Sequence, residues 1–263
     1  MKMRRVNALL IRHLYLYKRS VPRLMDIFYW PIVELLLWGF LSIYLSKLEL
    51  STFNAVTLFL GAIIFWDLLA QSQRAVSVAF LEDVWEKNLL NIFITPLKIS
   101  EFLASTVILG FVKIILVAIV MSILAFLFYA FNIFDFGLSL IPFFINLLIF
   151  GWTLGLFTTA IILRYGTSAQ VLAFGFIVLI QPFTAVFYPV SALPQALQYI
   201  SYLFPSTYVF EGLREVANAG SFPGMLLLLA FLTNIIYLAL VTWFFYGMFA
   251  WIKRKGRLMK LND

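Results

Sequence analysis

Cysteine is absent from the 263-residue chain and histidine occurs once, as His13. The first absence excludes disulfides and thiolate metal sites. The second leaves no histidine cluster to hold a metal and no set of histidine–carboxylate pairs for catalysis. No glycine-rich loop ending in Lys-Ser or Lys-Thr occurs either, so the chain carries no phosphate loop of its own. Charge is scarce: 12% of residues are Asp, Glu, Lys or Arg, against 63% hydrophobic. A soluble domain of this length would expose far more apolar surface than water tolerates.

What the chain has is six apolar runs, at 27–45, 53–70, 102–131, 138–163, 171–188 and 225–252. Each is near or above the roughly 18–20 residues that cross a hydrocarbon core of about 30 Å. Lipid leaves backbone groups unsatisfied, so only helices or closed barrels span it. The runs are continuous rather than alternating, which selects helices. The expected fold is an all-α integral membrane protein with six transmembrane helices, a single domain over 1–263.

Basic residues crowd alternate gaps between the runs. Lys2, Arg4, Arg5, Arg12, Lys18, Arg19 and Arg23 precede the first, and Arg74, Lys87 and Lys98 lie between the second and third. Arg164 separates the fourth from the fifth, and Lys253, Arg254, Lys255, Arg257 and Lys260 follow the sixth. The opposite gaps hold only Lys47 and Arg214. The positive-inside rule then places both termini in the cytoplasm of a multi-pass protein of the cell (inner) membrane. The net charge of +7 is thus a membrane-end signal rather than a nucleic-acid one. No small-residue cleavage site follows a short apolar core in 1–23, so the first run is expected to remain as an anchor.

Three segments outside the runs are unlike ordinary loops. In the leader, 1–24, Val6, Leu9, Leu10, His13, Leu14 and Tyr17 fall at helical spacing while Arg5, Arg12, Lys18 and Arg19 lie elsewhere on the wheel. That pattern predicts an amphipathic helix on the inner membrane surface, ended by Pro22, with His13 a packing residue rather than an acid–base group. The longest cytoplasmic connection, 71–100, mixes Glu82, Asp83, Glu86 and Lys87 with Phe80, Leu81, Val84, Trp85, Leu89, Leu90 and Phe93, and stops at Thr95-Pro96. A passive loop would be polar and rich in Gly and Ser; this composition predicts one or two short helices that touch something. The outer stretch, 189–224, is punctuated by Pro189, Pro194, Pro205 and Pro223 yet is apolar at Leu193, Leu197, Ile200, Leu203 and Phe204. It predicts two short re-entrant helices dipping into the outer leaflet, with Glu211 and Arg214 three apart on one helical face near water.

Polar residues inside the runs are few. An ionised carboxylate near mid-bilayer costs about 3 kcal/mol on insertion scales, so Glu34 should face an interior, a partner or water. A conduit wall and a structural hydrogen bond both fit it. Asp67, at shallow depth, reads as structural. Gln181-Pro182 interrupts the fifth run with a kink. Asn146 and Asn234 can bond across helices, and Gly151 and Gly155 permit close approach within the chain. The third run is too long for the bilayer at about 45 Å, which puts Lys113 near the inner interface where its ammonium can snorkel.

The stretch Glu82-Asp83-Val84-Trp85-Glu86-Lys87-Asn88-Leu89-Leu90-Asn91-Ile92-Phe93-Ile94-Thr95-Pro96-Leu97 resembles the loop of ABC-2 type permeases. There an acidic residue, a short apolar segment and a Thr/Ser-Pro-Leu close precede the third span. Tyr188-Pro189-Val190-Ser191-Ala192-Leu193-Pro194, then Tyr202-Leu203-Phe204-Pro205-Ser206-Thr207-Tyr208 and Glu211-Gly212-Leu213-Arg214, resembles the same family's segment before its last span. The plan of six spans behind a basic amphipathic leader is similar too. Lys87-Asn88 stands where many members have Gly-Thr, and Phe204 where they have Asn.

The resemblance implies a half-transporter, itself without catalysis or bound cofactor. Two copies would pair, each docking one nucleotide-binding ATPase subunit that holds ATP and magnesium. Glu82, Asp83, Trp85, Glu86, Lys87, Asn88, Thr95 and Pro96 would couple to the ATPase, with Arg164 in a second, smaller contact. Spans one, two and five would flank a conduit, making Glu34, Gln181, Phe183 and Tyr188 its candidate residues. Pro194, Pro205, Tyr208, Glu211 and Arg214 would build the outer element. The reading is the permease of an ATP-driven exporter of an amphiphile: a lipid-linked glycan, a lipid or a hydrophobic drug. Its partners would be two ATPase copies, a second copy of itself and membrane lipid, with no nucleic acid. Two rivals belong to other classes. An ion-coupled secondary carrier would need inverted repeats and several mid-membrane ionisable groups. A non-transporting membrane assembly factor would not need the mixed charged–aromatic segment.

Overall fold

The computed structural model describes residues 2–47, 55–86, 88, 92 and 94–255. Among these residues the regular structure is helical throughout, with α1 (Met3–Arg19), α2 (Val21–Lys47), α3 (Ala55–Trp85), α4 (Ile99–Tyr129) and α5 (Leu140–Tyr165) in order. The chain continues through α6 (Val171–Ile180), α7 (Gln195–Ser201), α8 (Pro205–Ala219) and α9 (Gly224–Arg254). The all-α expectation holds. Ser20, extended at φ −121° and ψ 98°, separates α1 from α2 just before Pro22.

Five helical stretches are long and apolar enough to cross a membrane: Val21–Lys47, Val56–Trp85, Ile99–Tyr129, Ile133–Tyr165 and Gly224–Arg254. The fifth run of the sequence does not make a sixth of that kind. It forms α6 and a 3₁₀ turn, together Val171–Phe183, about 20 Å of helix against a core of about 30 Å. Pro182 has no N–H to continue an α-helix. The turn closes with the Thr184 N–H on the Gln181 carbonyl at 3.2 Å, and Ala185 then takes φ 52°.

α3 is the axis of the molecule. In its most apolar stretch 78% of residues are buried, against 28% in α2 and α4 and 17% in α9. α5 approaches it closely because Gly151 and Gly155 carry no side chains. A Cβ on Gly151 would lie 2.3 Å from Ser72 Cβ, and one on Gly155 would lie 2.8 Å from the Gln73 carbonyl oxygen. The glycine pair is therefore a packing surface within the chain, as its spacing suggested. α5 and α9 are joined where Asn234 Nδ2 donates to both the carbonyl and the Oδ1 of Asn146 at 3.0 Å.

The sequence reads 71–100 as a cytoplasmic connection with one or two short helices; its first part is the continuation of α3, which runs unbroken to Trp85. Several of the helix's polar side chains bond inside the protein. Ser72 Oγ donates to the Leu68 carbonyl at 2.7 Å, and Ser77 Oγ to that of Gln73 at 3.0 Å. Gln73 Nε2 reaches Ser77 Oγ at 3.1 Å and the Ala173 carbonyl of α6 at 3.2 Å. Only residues 86–98 connect α3 to α4. α4 is over-long as expected, 31 residues beginning at Ile99.

Two apolar clusters divide the length of the bundle. One gathers Leu9, Phe80, Val84, Phe102, Leu163, Ala173 and Ile252, marking what we term the leader end. The other gathers Phe65, Phe136, Phe143, Phe150, Val186, Phe210 and Leu213 and runs to the opposite, far end.

Candidate functional site

At the leader end α1 buries Val6, Leu9 and His13. Leu14, from the expected apolar face, is exposed together with Ile11 and Tyr15. The leader thus rests one face on the bundle and turns a second apolar face outward. Charge pairs hold it there. Arg12 bonds Asp83 at 2.8 Å and Glu86 at 3.2 Å, and Arg23 bonds Glu86 at 2.5 Å and reaches Glu82 at 3.5 Å. Glu101, in the first turn of α4, accepts the Lys2 backbone N–H at 2.7 Å and the Arg5 guanidinium at 3.4 Å. Arg5 also donates to the Pro96 carbonyl, and Lys113 meets the Tyr17 hydroxyl.

Glu82, Asp83 and Glu86 are therefore engaged within the chain. Asp83 is 1% exposed, so its carboxylate depends on Arg12. His13 is buried beside this network, and neither ring nitrogen has a hydrogen-bond partner among the described residues. Burial lowers its pKa from 6.5 to about 4; Arg12 and Lys113 act in the same direction, and Asp83 and Glu86 oppose them. Its sequence neighbourhood showed an apolar helical face but not the bundle beneath it.

Around this braced core lies an exposed rim. Trp85, the last residue of α3, is 48% exposed. Its Nε1–H donates to Gln170 Oε1 at 3.2 Å. Asn88 Nδ2 lies 3.5 Å from Asp83 Oδ1. Thr95 Oγ1 donates to the Ile92 carbonyl at 2.6 Å, and Ile94, Thr95 and Pro96 are exposed. Arg164 is exposed at the end of α5, its guanidinium 5.3 Å from the Tyr165 ring and 5.5 Å from that of Trp251. The Trp85–Gln170 bond thus links the end of α3 to the turn that follows Arg164. Gln170, which joins them, carried no signal in the sequence. Lys87 lies outside the described residues.

The conduit candidates separate into two groups. Glu34 is half-buried on α2, within electrostatic range of Arg74 and Asp67 of α3. No hydrogen bond or ion pair joins it to either among the described residues. Asp67 is 2% exposed, with Oδ2 lacking a partner. Gln181 and Phe183 are half-buried in the turn that ends α6, and the Tyr188 hydroxyl donates to the Pro182 carbonyl. The ring of this segment that reaches α2 and α3 is Phe187, which the sequence reading did not select. It stacks on Trp38 at 3.9 Å between centroids, and Trp38 stacks on Phe59 at 5.9 Å.

At the far end the expected two short helices are α7 and α8, with Pro194 preceding the first and Pro205 opening the second. Thr207 Oγ1 donates to the Ser201 carbonyl at 2.7 Å, and the Tyr208 hydroxyl to that of Tyr202 at 2.8 Å. Glu211 and Arg214 pair at 3.2 Å, as their spacing suggested. Their role is larger than an exposed pair. Arg214 Nη2 donates to the carbonyls of Val186, at 2.9 Å, and Ala185, while Glu211 Oε1 accepts the Val190 N–H at 2.7 Å. Together they clamp the strained stretch where α6 has stopped. A cavity of about 450 Å³ opens beside the clamp, lined by Phe59, Phe136, Phe187, Phe210, Glu211 and Arg214 among others.

Residues 5–218 match the family model described as ABC-2 type transporter. No curated protein matches the chain. The match covers well over half of the length, including the leader helix, the leader-end surface and the far-end clamp, and the chain accordingly belongs to the ABC-2 type transporter family, the membrane component of ABC transporters.

Proposed function

We propose that the chain is the permease subunit of an ATP-driven exporter that moves an amphiphile out across the cell membrane. The observation that carries this reading is the Trp85–Gln170 hydrogen bond. It supports the reading by joining the end of α3 to the turn after Arg164, a link between the two proposed coupling segments that a membrane scaffold alone would not need. The leader end is cytoplasmic, in keeping with its excess of Lys and Arg. One nucleotide-binding ATPase docks there on Trp85, Glu86, Lys87, Asn88, Thr95, Pro96 and Arg164, and supplies ATP and magnesium. Asp83 acts from behind by holding α1 through Arg12, and Glu82 by holding the start of α2 through Arg23.

Two copies pair, and the conduit runs beside α2, α3 and the broken element 171–190, which completes a sixth crossing. Glu34, Gln181, Phe183 and Tyr188 border it, and 189–224 forms the re-entrant outer element. Closure of the ATPase pair on ATP shifts the population between two packings of the halves, and the differential contacts at the dock carry that coupling. The test is copurification. ATPase should follow the wild-type permease from membranes. It should be lost with a Trp85→Ala, Arg164→Ala double variant that still inserts. Retention of the ATPase by that variant would remove the dock from this surface.

A further inference from the structure

A second cavity, of about 350 Å³, opens at the leader end where α1 turns into α2. Its charged walls are Arg23, Arg74 and Lys113 against the single acid Glu82. Glu82 is already within reach of Arg23 at 3.5 Å, and Arg23 is held by Glu86 as well. Lys113 sits 3.7 Å from the centroid of the Tyr17 ring. Arg74 differs from both. No described residue hydrogen-bonds or ion-pairs with it, and its Nε is buried without a partner. The acids that feel its charge are Glu34 and Asp67. Neither lines the cavity, and Asp67 lies two helical turns away along α3, about 10 Å. Arg74 thus presents a cation to the cavity with no bonded counter-ion among the described residues. Ile27, Val78 and Phe174 supply an apolar wall, and Tyr17 and Trp85 are ring residues of the kind found at headgroup depth.

We propose that this cavity binds the phosphate group of an amphiphile drawn from the cytoplasmic leaflet, with Arg74 as its principal ligand and Lys113 as the second. The guanidinium offers paired donors to phosphate oxygens, and the apolar wall takes the first methylenes of the tail. The assignment rests on the permease reading and narrows its cargo to a phosphate-bearing amphiphile.

The full chain is purified in detergent, and retained phosphatidylglycerol is measured against retained phosphatidylcholine, with ATPase copurification scored separately. Wild type should retain the anionic lipid in preference. Arg74→Gln should lower that retention about tenfold, the loss of a charged hydrogen bond, and Lys113→Gln should lower it less. Arg74→Lys should keep most of it. Arg254→Gln, which removes a cation outside the cavity, should leave it unchanged. If Arg74→Gln does not accumulate, Arg74→Lys and Lys113→Gln decide the matter. Equal retention of both lipids, or wild-type retention by Lys113→Gln and Arg74→Gln, would overturn the site. Displacement of the lipid by inorganic phosphate at matched concentration would overturn the amphiphile and leave a free-phosphate site. Equal retention of the two lipids by the wild type, with ATPase still bound, contradicts this inference alone. Lost ATPase with selectivity intact contradicts the permease reading instead.

Discussion

The two ends of the bundle are fastened by different chemistry. At the leader end, ion pairs join separate elements: Arg12 and Arg23 to the acids closing α3, and Arg5 to Glu101 of α4. At the far end the one ion pair among the described residues, Glu211 with Arg214, lies within α8, and its remaining hydrogen bonds go to neutral backbone groups of 185–190. Charge pairs at partly exposed sites weaken with salt and can be exchanged for others. Bonds to otherwise orphaned backbone groups have no ready substitute. On the proposed function, the exchangeable junction falls at the proposed ATPase dock and the fixed one at the end where the chain breaks its helix.

The largest effect is expected at the far end. Arg214→Ala strands the Ala185 and Val186 carbonyls and leaves Glu211 without its cation. The cost should be about 2–4 kcal/mol, discounted for the partial exposure of the pair. Thermal unfolding of the purified protein should show the same loss at low and high salt. A strong salt dependence would erase the contrast between the ends.

Next comes Arg12→Ala, which leaves the buried Asp83 carboxylate unpaired. Its expected cost, about 1–3 kcal/mol, should fall on the docking of α1 alone. The chain has no cysteine, so a single Val6→Cys reports that docking, since Val6 is fully buried. Labelling should rise in Arg12→Ala and, to a lesser degree, in high salt. Unchanged labelling in both would mean that apolar contacts alone hold the leader.

A residue was legible in the sequence where its spacing or side-chain type alone names the interaction. Gly151 and Gly155, Asn146 with Asn234, the break at Pro22 and the Glu211–Arg214 pair were all readable, because spacing or side-chain type names the interaction. The continuation of α3 past Gln71 was not. Hydropathy falls at Gln71, Ser72 and Gln73, and nothing local shows that α5 and α6 supply their bonding partners. The stop at Gln181-Pro182 was visible as a kink, but not that the following residues leave the helix altogether. Trp85 stood out in the sequence as a large ring among charges, whereas its partner Gln170 lies in a short turn with no pattern of its own. Glu82 and Asp83 looked like display residues for a partner protein. Their pairing with Arg12 and Arg23 spans some 60–70 residues of chain and leaves no mark on spacing.

A smaller effect should follow from pH. His13 has a pKa lowered to about 4 by burial, against 6.5 when free. Between those values the detached leader binds more protons than the docked one, so docking is fully stable above 6.5 and weakens as pH falls towards 4. Val6→Cys labelling should rise over that window, and His13→Asn should flatten the rise. An unchanged slope in His13→Asn would show that His13 is not the titrating group.

The smallest effect on folding, and the most direct test of the account, is Trp85→Ala. The side chain is 48% exposed and makes one hydrogen bond, to Gln170, so its loss should cost stability no more than about 1 kcal/mol. An aromatic anchor at the centre of an interface contributes more than about 2 kcal/mol to binding. ATPase recovered with the permease from solubilised membranes should therefore fall at least about tenfold in Trp85→Ala while the melting temperature barely moves. Recovery of ATPase at the wild-type level would contradict the assignment of the leader end as its dock.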